Sequence, residues 1–238
     1  MRAGVRERIG DAFQMLVVGG ASFNPHWVTT AEALGIGFET GYGLTETSPV
    51  VSLGDTTGCP FGSTGKPLPG VDVRVTSGGE ILVRGDNVMR GYYRDPDLTR
   101  QAVHDGWLHT GDCGELDAEG HLFIRGRLKE AIVGSNGETL YPEEIEPYYT
   151  SPLFQEHCVV PVAAPDGNDR PVLCVVPAPE LRDASEVNDA FQNLRTVAPS
   201  SFRVEQMVVL HEGLPRTGSG KVRRRELGNK LQREALST

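Results

Sequence analysis

Residues 15–43 read MLVVGGASFNPHWVTTAEALGIGFETGYG, and this stretch decides the fold class. The apolar run Met15-Leu16-Val17-Val18 ends in Gly19-Gly20-Ala21, the pattern of a buried strand closing on a tight turn. Asn24-Pro25 then predicts a short helix to about Leu34, since asparagine caps well and proline suits the first helical turn. Gly35-Ile36-Gly37-Phe38-Glu39 leads into a second strand and another glycine-rich turn, Gly41-Tyr42-Gly43. Strand–helix–strand implies a parallel pair. Parallel sheets are covered on both faces and are rarely this small. Residues 1–55 therefore read as the remnant of a larger α/β sheet, whose other strands come from a separate chain or from a longer enzyme.

Outward from this stretch the texture changes twice. From 56 to 127, alternations such as Val71-Asp72-Val73-Arg74-Val75 and Glu80-Ile81-Leu82-Val83-Arg84 are broken by turns at Ser77-Gly78-Gly79 and Asp117-Ala118-Glu119-Gly120. This predicts antiparallel hairpins in a small barrel-like subdomain or curled sheet. Residues 128–238 read as a compact α+β domain. It has strands at Ala131-Ile132-Val133, 158–162, 172–176 and 204–210, a helix start at Tyr141-Pro142, and helices near 185–197 and 222–236.

Bulk properties narrow the function. A net charge of −9 over 238 residues argues against general nucleic-acid binding, which needs a basic field. Cys59, Cys113, Cys158 and Cys174 lie far apart, with neither zinc spacing nor a disulfide framework, and read as reduced thiols. No apolar run approaches the roughly 20 residues of a membrane-spanning helix. Met1-Arg2-Ala3-Gly4-Val5-Arg6-Glu7-Arg8 has no apolar signal core behind it. The expectation is a cytoplasmic protein with no nucleic-acid partner.

Four motifs carry chemistry. Gly41-Tyr42-Gly43-Leu44-Thr45-Glu46-Thr47 combines glycines that admit a ligand to the backbone, a flat aromatic face, and a hydroxyl beside a carboxylate suited to phosphate and magnesium. It also reads as a plain turn, although ligands of open α/β sheets do bind at strand carboxyl ends. Trp107-Leu108-His109-Thr110-Gly111-Asp112 places a carboxylate behind a glycine turn. It suits either a ribose diol or the turn's own amides. Arg125-Gly126-Arg127-Leu128-Lys129-Glu130 is a solvated linker or a hinge with an arginine reaching back to a ligand. In Leu214-Pro215-Arg216-Thr217-Gly218-Ser219-Gly220-Lys221 a lysine ends a glycine loop, but Val222 and the upstream glycine spacing exclude a Walker loop. Arg223-Arg224-Arg225 reads as a solvated helix face.

Taken in this order, the four motifs resemble the adenylate-forming superfamily of acyl-CoA synthetases, luciferases and peptide-synthetase adenylation domains. The likeness runs from about Leu16 to Leu227. It includes GGEILVRGDNVMRGYYRDPDLT at 78–99 and GRLKEAIVGSNGETLYPEEIE at 126–146. It looks most like bacterial acyl-CoA ligases of the fatty-acid type. The resemblance implies an acid–thiol ligase that uses ATP, Mg2+ and CoA, with a phosphopantetheine carrier as the alternative acceptor. It implies that Gly20, Ala21, Gly41, Tyr42 and Gly43 enclose adenine, with the Tyr42 ring stacking on it, and that Thr45 meets the α-phosphate. Glu46 would hold the metal, while Asp112 and Arg127 grip the ribose. Lys129 would be the hinge, Gly137 would lie in the loop lining the thiol tunnel, and Lys221 would bridge the substrate carboxylate and α-phosphate. The family's upstream phosphate-binding loop has no counterpart in these residues. The chain alone is therefore expected to be nearly inactive, to act beside an N-terminal half-enzyme chain, or to serve as a non-catalytic adenylate-binding module.

Overall fold

The computed structural model describes residues 2–10, 12–19, 26–55, 58–134, 137–164, 167–180, 184–218 and 220–235. It forms two compact units, Met1–Arg125 and Gly126–Thr238.

The first unit opens with α1 (Arg2–Ile9), β1 (Met15–Gly19), α2 (His26–Ala33), β2 (Gly37–Tyr42), β3 (Ser52–Asp55) and β4 (Lys66–Pro67), with sheet order β1-β2-β3-β4. β1 and β2 run parallel, with Met15 opposite Gly37 and Gly19 opposite Gly41, as strand–helix–strand demands. Val28 and Ala31 of α2 pack on Ile36 and Phe38, joined by Val18 and Leu34. β2 runs further than its sequence suggests. Gly41 and Tyr42 belong to the strand, because β3 pairs antiparallel along it as far as Tyr42 opposite Ser52. β1 departs from the expected burial: Met15, Leu16 and Val17 are 51%, 39% and 58% exposed, alongside exposed Ile9 and Phe13. Among the described residues, β1 pairs only with β2.

The hairpin region comprises β5 (Val71–Val75), β6 (Glu80–Gly85), α3 (Pro96–Ala102), β7 (Val103–His104), β8 (Trp107–Leu116) and β9 (Leu122–Arg127). Its order is β5-β6-β8-β7, with β9 also on β8, so the expected barrel-like form is an open five-stranded sheet. Ile81, Val83 and Leu122 share a core with Tyr42 and Val51, which locks this sheet to the first.

The second unit contains the hairpin β10 (Ile132–Val133) and β11 (Thr139–Leu140). α4 (Pro142–Ile145) follows and continues as a 3-10 turn, Glu146–Tyr149; then come β12 (Phe154–Ala163), β13 (Asp169–Pro177), α5 (Ala184–Val197), β14 (Gln206–Val209) and α6 (Arg224–Ala235). β12 and β13 are antiparallel, and β13 and β14 parallel. Side chains alternate across this sheet. Val159, Leu173 and Val175 face α5, with Val187 and Phe191. Cys158, Val160, Val172 and Cys174 face α6, with Leu227. Both faces are covered, which explains the continuous apolar runs in the sequence. The cysteines are free thiols; the Cys174 thiol opposite Cys158, together with burial, pushes the Cys158 thiol up. No helix among the described residues is long and apolar enough to cross a membrane.

α6 lies close on β12 at Gly228, where an added Cβ would meet the Pro161 carbonyl oxygen at 2.5 Å. Alanine is favoured over glycine in a helix by about 1 kcal/mol, whereas overpacking costs about 1–3 kcal/mol. Gly228→Ala is therefore expected to lower the urea midpoint of the second unit, despite its better helix propensity. An unchanged or raised midpoint would show that α6 can shift without loss.

Candidate active site

Tyr42 and Asp112 meet in the first unit. The Tyr42 hydroxyl donates to Asp112 Oδ2 at 2.7 Å, and both residues are buried, at 9% and 5% exposure. The Tyr42 ring belongs to the core, so its hydroxyl orients the carboxylate, a role the sequence did not disclose.

Asp112 reaches this position through a bulge rather than a simple turn. β6 advances from Glu80 to Leu82 while β8 retreats from Cys113 to His109, leaving two extra residues on β8. Gly111 takes the left-handed conformation there (φ +69°), which a glycine adopts without steric cost. Its N–H donates to Glu80 Oε1 at 3.1 Å, and Glu80 Oε2 lies 3.0 Å from His109 Nδ1. Thr110 Oγ1 donates to the Ile81 carbonyl and accepts the Asp112 N–H. Glu80 and Thr110 thus set the bulge that aims Asp112. Neither stands out in the sequence, because each acts through a strand partner about 30 residues away.

Thr45 and Glu46 occupy a 3-10 turn, Thr45–Thr47, directly after β2. Buried Thr47 holds it: its hydroxyl accepts the Leu44 N–H at 3.0 Å and lies 2.9 Å from the Leu44 carbonyl. Gly43 lets the chain pass tightly, since a Cβ there would fall 1.7 Å from the Pro49 carbonyl oxygen. Thr45 is exposed and Glu46 half-buried. The Tyr92 hydroxyl donates to Glu46 Oε1 at 2.9 Å, and the Met89 N–H donates to the Glu46 carbonyl. Tyr92 is itself placed by α3, through its N–H to Thr99 Oγ1. One anchored carboxylate beside a hydroxyl is a hard-oxygen set, which fits a magnesium ion shared with phosphate oxygens and water.

The remaining candidates belong to the linker and the second unit. Arg127 ends β9, half-buried; Lys129 is exposed on the 3-10 turn Leu128–Glu130. Gly137 turns the β10–β11 hairpin at φ +78°, its N–H on the Gly134 carbonyl. Lys221 is exposed at the end of a loop closed by the Thr217 N–H on its carbonyl and by Arg216 Nη1 on the Gly220 carbonyl. Of the three arginines that follow, Arg223 and Arg225 are solvated, but Arg224 turns inward among carboxylates, contrary to the expected solvated face. Gly20 and Ala21 lie outside the described residues, as do Ser135 and Asn136.

Known proteins are similar to this chain in sequence and fold. Residues 3–93 match the family of AMP-binding enzymes. The 2-succinylbenzoate–CoA ligase of Bacillus anthracis (strain A0248) is 34% identical over 238 residues, covering 93% of this chain and 48% of the relative. A long-chain-fatty-acid–CoA ligase of Mycobacterium bovis is 37% identical over 162 residues, 68% of this chain and 27% of the relative. The structure of o-succinylbenzoate CoA synthetase from Bacillus subtilis with its acyl-adenylate intermediate aligns with a TM-score of 0.80. It is 26% identical and covers 95% of this chain and 49% of that one. The same enzyme with ATP and magnesium ion gives 0.76. The chain spans about half the length of the curated relatives it matches.

A buried hydrogen bond to a charged group contributes about 1.5–3 kcal/mol. A double-mutant cycle of Tyr42→Phe and Asp112→Ala, read by urea unfolding, should give a coupling energy in that range. A coupling within a few tenths of zero, the error of such a cycle, would mean that Tyr42 does not hold Asp112.

Proposed function

We propose, given that this chain belongs to the AMP-binding, adenylate-forming enzymes and carries the C-terminal part of their fold, that it supplies the nucleoside grip and the mobile lysine of an ATP-dependent acid–thiol ligase. The observation that carries this reading is Asp112, a buried carboxylate aimed by Tyr42 and by a glycine bulge.

Asp112 accepts from the ribose hydroxyls, with Arg127 assisting, while the backbone at Gly41 and Gly43 borders the base. Thr45 meets the α-phosphate. Glu46 would hold Mg2+, which when bound neutralises phosphate charge. The substrate carboxylate oxygen attacks the α-phosphorus, and pyrophosphate leaves. Two anions approach each other in that step, so Lys221 placed between them stabilises charge as it develops. Rotation about Lys129 then withdraws the lysine and brings up the Gly137 turn. The thiol sulfur of CoA attacks the acyl carbon, AMP leaves, and the thiol proton passes to solvent. One site serves two reactions in turn.

The exposed apolar strand β1 supports the further reading that other parallel strands complete this sheet, contributed by an N-terminal half carrying the triphosphate cradle. The ligase acts in the cytoplasm on this reading. The purified chain, given ATP, CoA and a panel of carboxylic acids, should form essentially no acyl-CoA, and adding such an N-terminal half should restore turnover. In the restored enzyme Lys221→Ala should slow adenylation on the order of 10²-fold, while thiol transfer from preformed adenylate is largely kept. Robust turnover by the single chain would overturn the half-enzyme reading. An unchanged adenylation rate in the variant would remove Lys221 from its role.

A further inference from the structure

One guanidinium in the second unit gathers three carboxylates. Arg224 opens α6, three residues after Lys221. Its Nη1 lies 3.0 Å from Glu130 Oε2 and 3.3 Å from Glu143 Oε1. Its Nη2 lies 3.0 and 3.1 Å from the two oxygens of Glu146. All four side chains are between 13% and 19% exposed. The carboxylates come from three elements: Glu130 from the turn that carries Lys129, Glu143 from α4, and Glu146 from the turn after it. Glu146 also accepts the Val159 N–H of β12 at 2.9 Å, which roots the cluster in the sheet.

The other root of the Lys221 loop is tied separately. Glu156 accepts the Leu214 N–H at 3.0 Å and Arg216 Nη2 at 2.9 Å, and these donors hold its carboxyl below the usual range. The loop is thus pinned upstream by Glu156 and downstream by Arg224. Only the downstream pin leads to the turn bearing Lys129.

Three half-buried carboxylates around one cation carry excess negative charge, and a proton on one of them relieves it. Glu143 is the member built to take it. It makes a long contact with Arg224, and its Oε2 is buried without a hydrogen-bond partner. Burial pushes its carboxyl up to about 7, against the pull of Arg224 and with Glu146 and Glu130 adding to the rise.

We propose that Arg224 is a positioning residue that fastens the root of the Lys221 loop to the turn carrying Lys129, so that lysine and pivot move as one body, with Glu143 as the proton-bearing member of this clasp. The proposal rests on the roles given above to Lys221 and Lys129. A guanidinium has five donors in a fixed fork and serves three carboxylates, which a lysine ammonium cannot do in the same plane.

Hydrogen exchange on the full chain tests it without nucleotide or turnover, so a failed ligase reading and a failed clasp give separate results. In Arg224→Met, corrected exchange at 128–131 and 216–223 should rise together by about tenfold or more, while 158–160 and 172–175 stay protected; Arg224→Lys should not restore the wild-type rates. A raised Glu143 pKa means that the folded state binds more protons than the unfolded chain between the ordinary 4.5 and about 7. Stability should therefore fall as pH rises through that window and level off above it. Glu143→Gln should flatten the slope. Unchanged exchange at 128–131 in Arg224→Met, or a slope that survives Glu143→Gln, overturns the proposal. If Arg224→Met does not fold, Glu130→Ala decides: faster exchange at 216–223 supports the clasp, and an unchanged rate overturns it.

Discussion

The first unit depends on one buried hydrogen bond, from the Tyr42 hydroxyl to the Asp112 carboxylate, that joins residues 70 positions apart on two different sheets. A carboxylate at 5% exposure is costly unless donors satisfy it. Tyr42 supplies such a donor from the end of β2, and its ring simultaneously fills the core with Val51 and Ile81. The bond fixes the orientation of Asp112 and ties the glycine loop after β2 to the bulge of β8. The turn bearing Thr45 and Glu46 starts three residues beyond Tyr42, so the same contact sets where those groups can point.

The second unit solves a different problem. Its sheet is apolar on both faces, and α5 and α6 cover one face each. That leaves the loops at the sheet ends to be held by polar groups, and half-buried carboxylates do this: Glu146 on the Val159 N–H, Glu156 on the Leu214 N–H. On the function proposed above, Lys221 has to keep its geometry while its domain turns. Pinning both roots of its loop to the same sheet is a direct way to meet that demand.

Much of this was legible in the sequence, where short-range signals dominate. The parallel pair β1–β2 followed from an apolar run, a helix and glycines within 30 residues. The hairpins followed from period-two alternation and their turns, and the strands of the second unit from apolar runs. Less legible was anything set by a distant partner. β1 looked like a buried strand, and only the structure shows it paired with β2 while Met15, Leu16 and Val17 stay exposed. Gly111 marked a turn but not a bulge, because a bulge is defined against β6. Tyr92, Glu80 and Arg224 gave no local signal, since each acts on a group between 29 and 94 positions away. The open sheet in place of a barrel has the same origin: closure depends on which edges pair, not on how any strand reads.

On the function proposed above, this chain by itself holds the nucleoside, with Asp112 as the anchor. Calorimetric titration of AMP into the purified chain tests it most directly. Saturable one-site binding is expected, weakened by about tenfold in a folded Asp112→Asn variant, the equivalent of losing one hydrogen bond to a charged group. Absence of binding, or equal affinity in the variant, would contradict it.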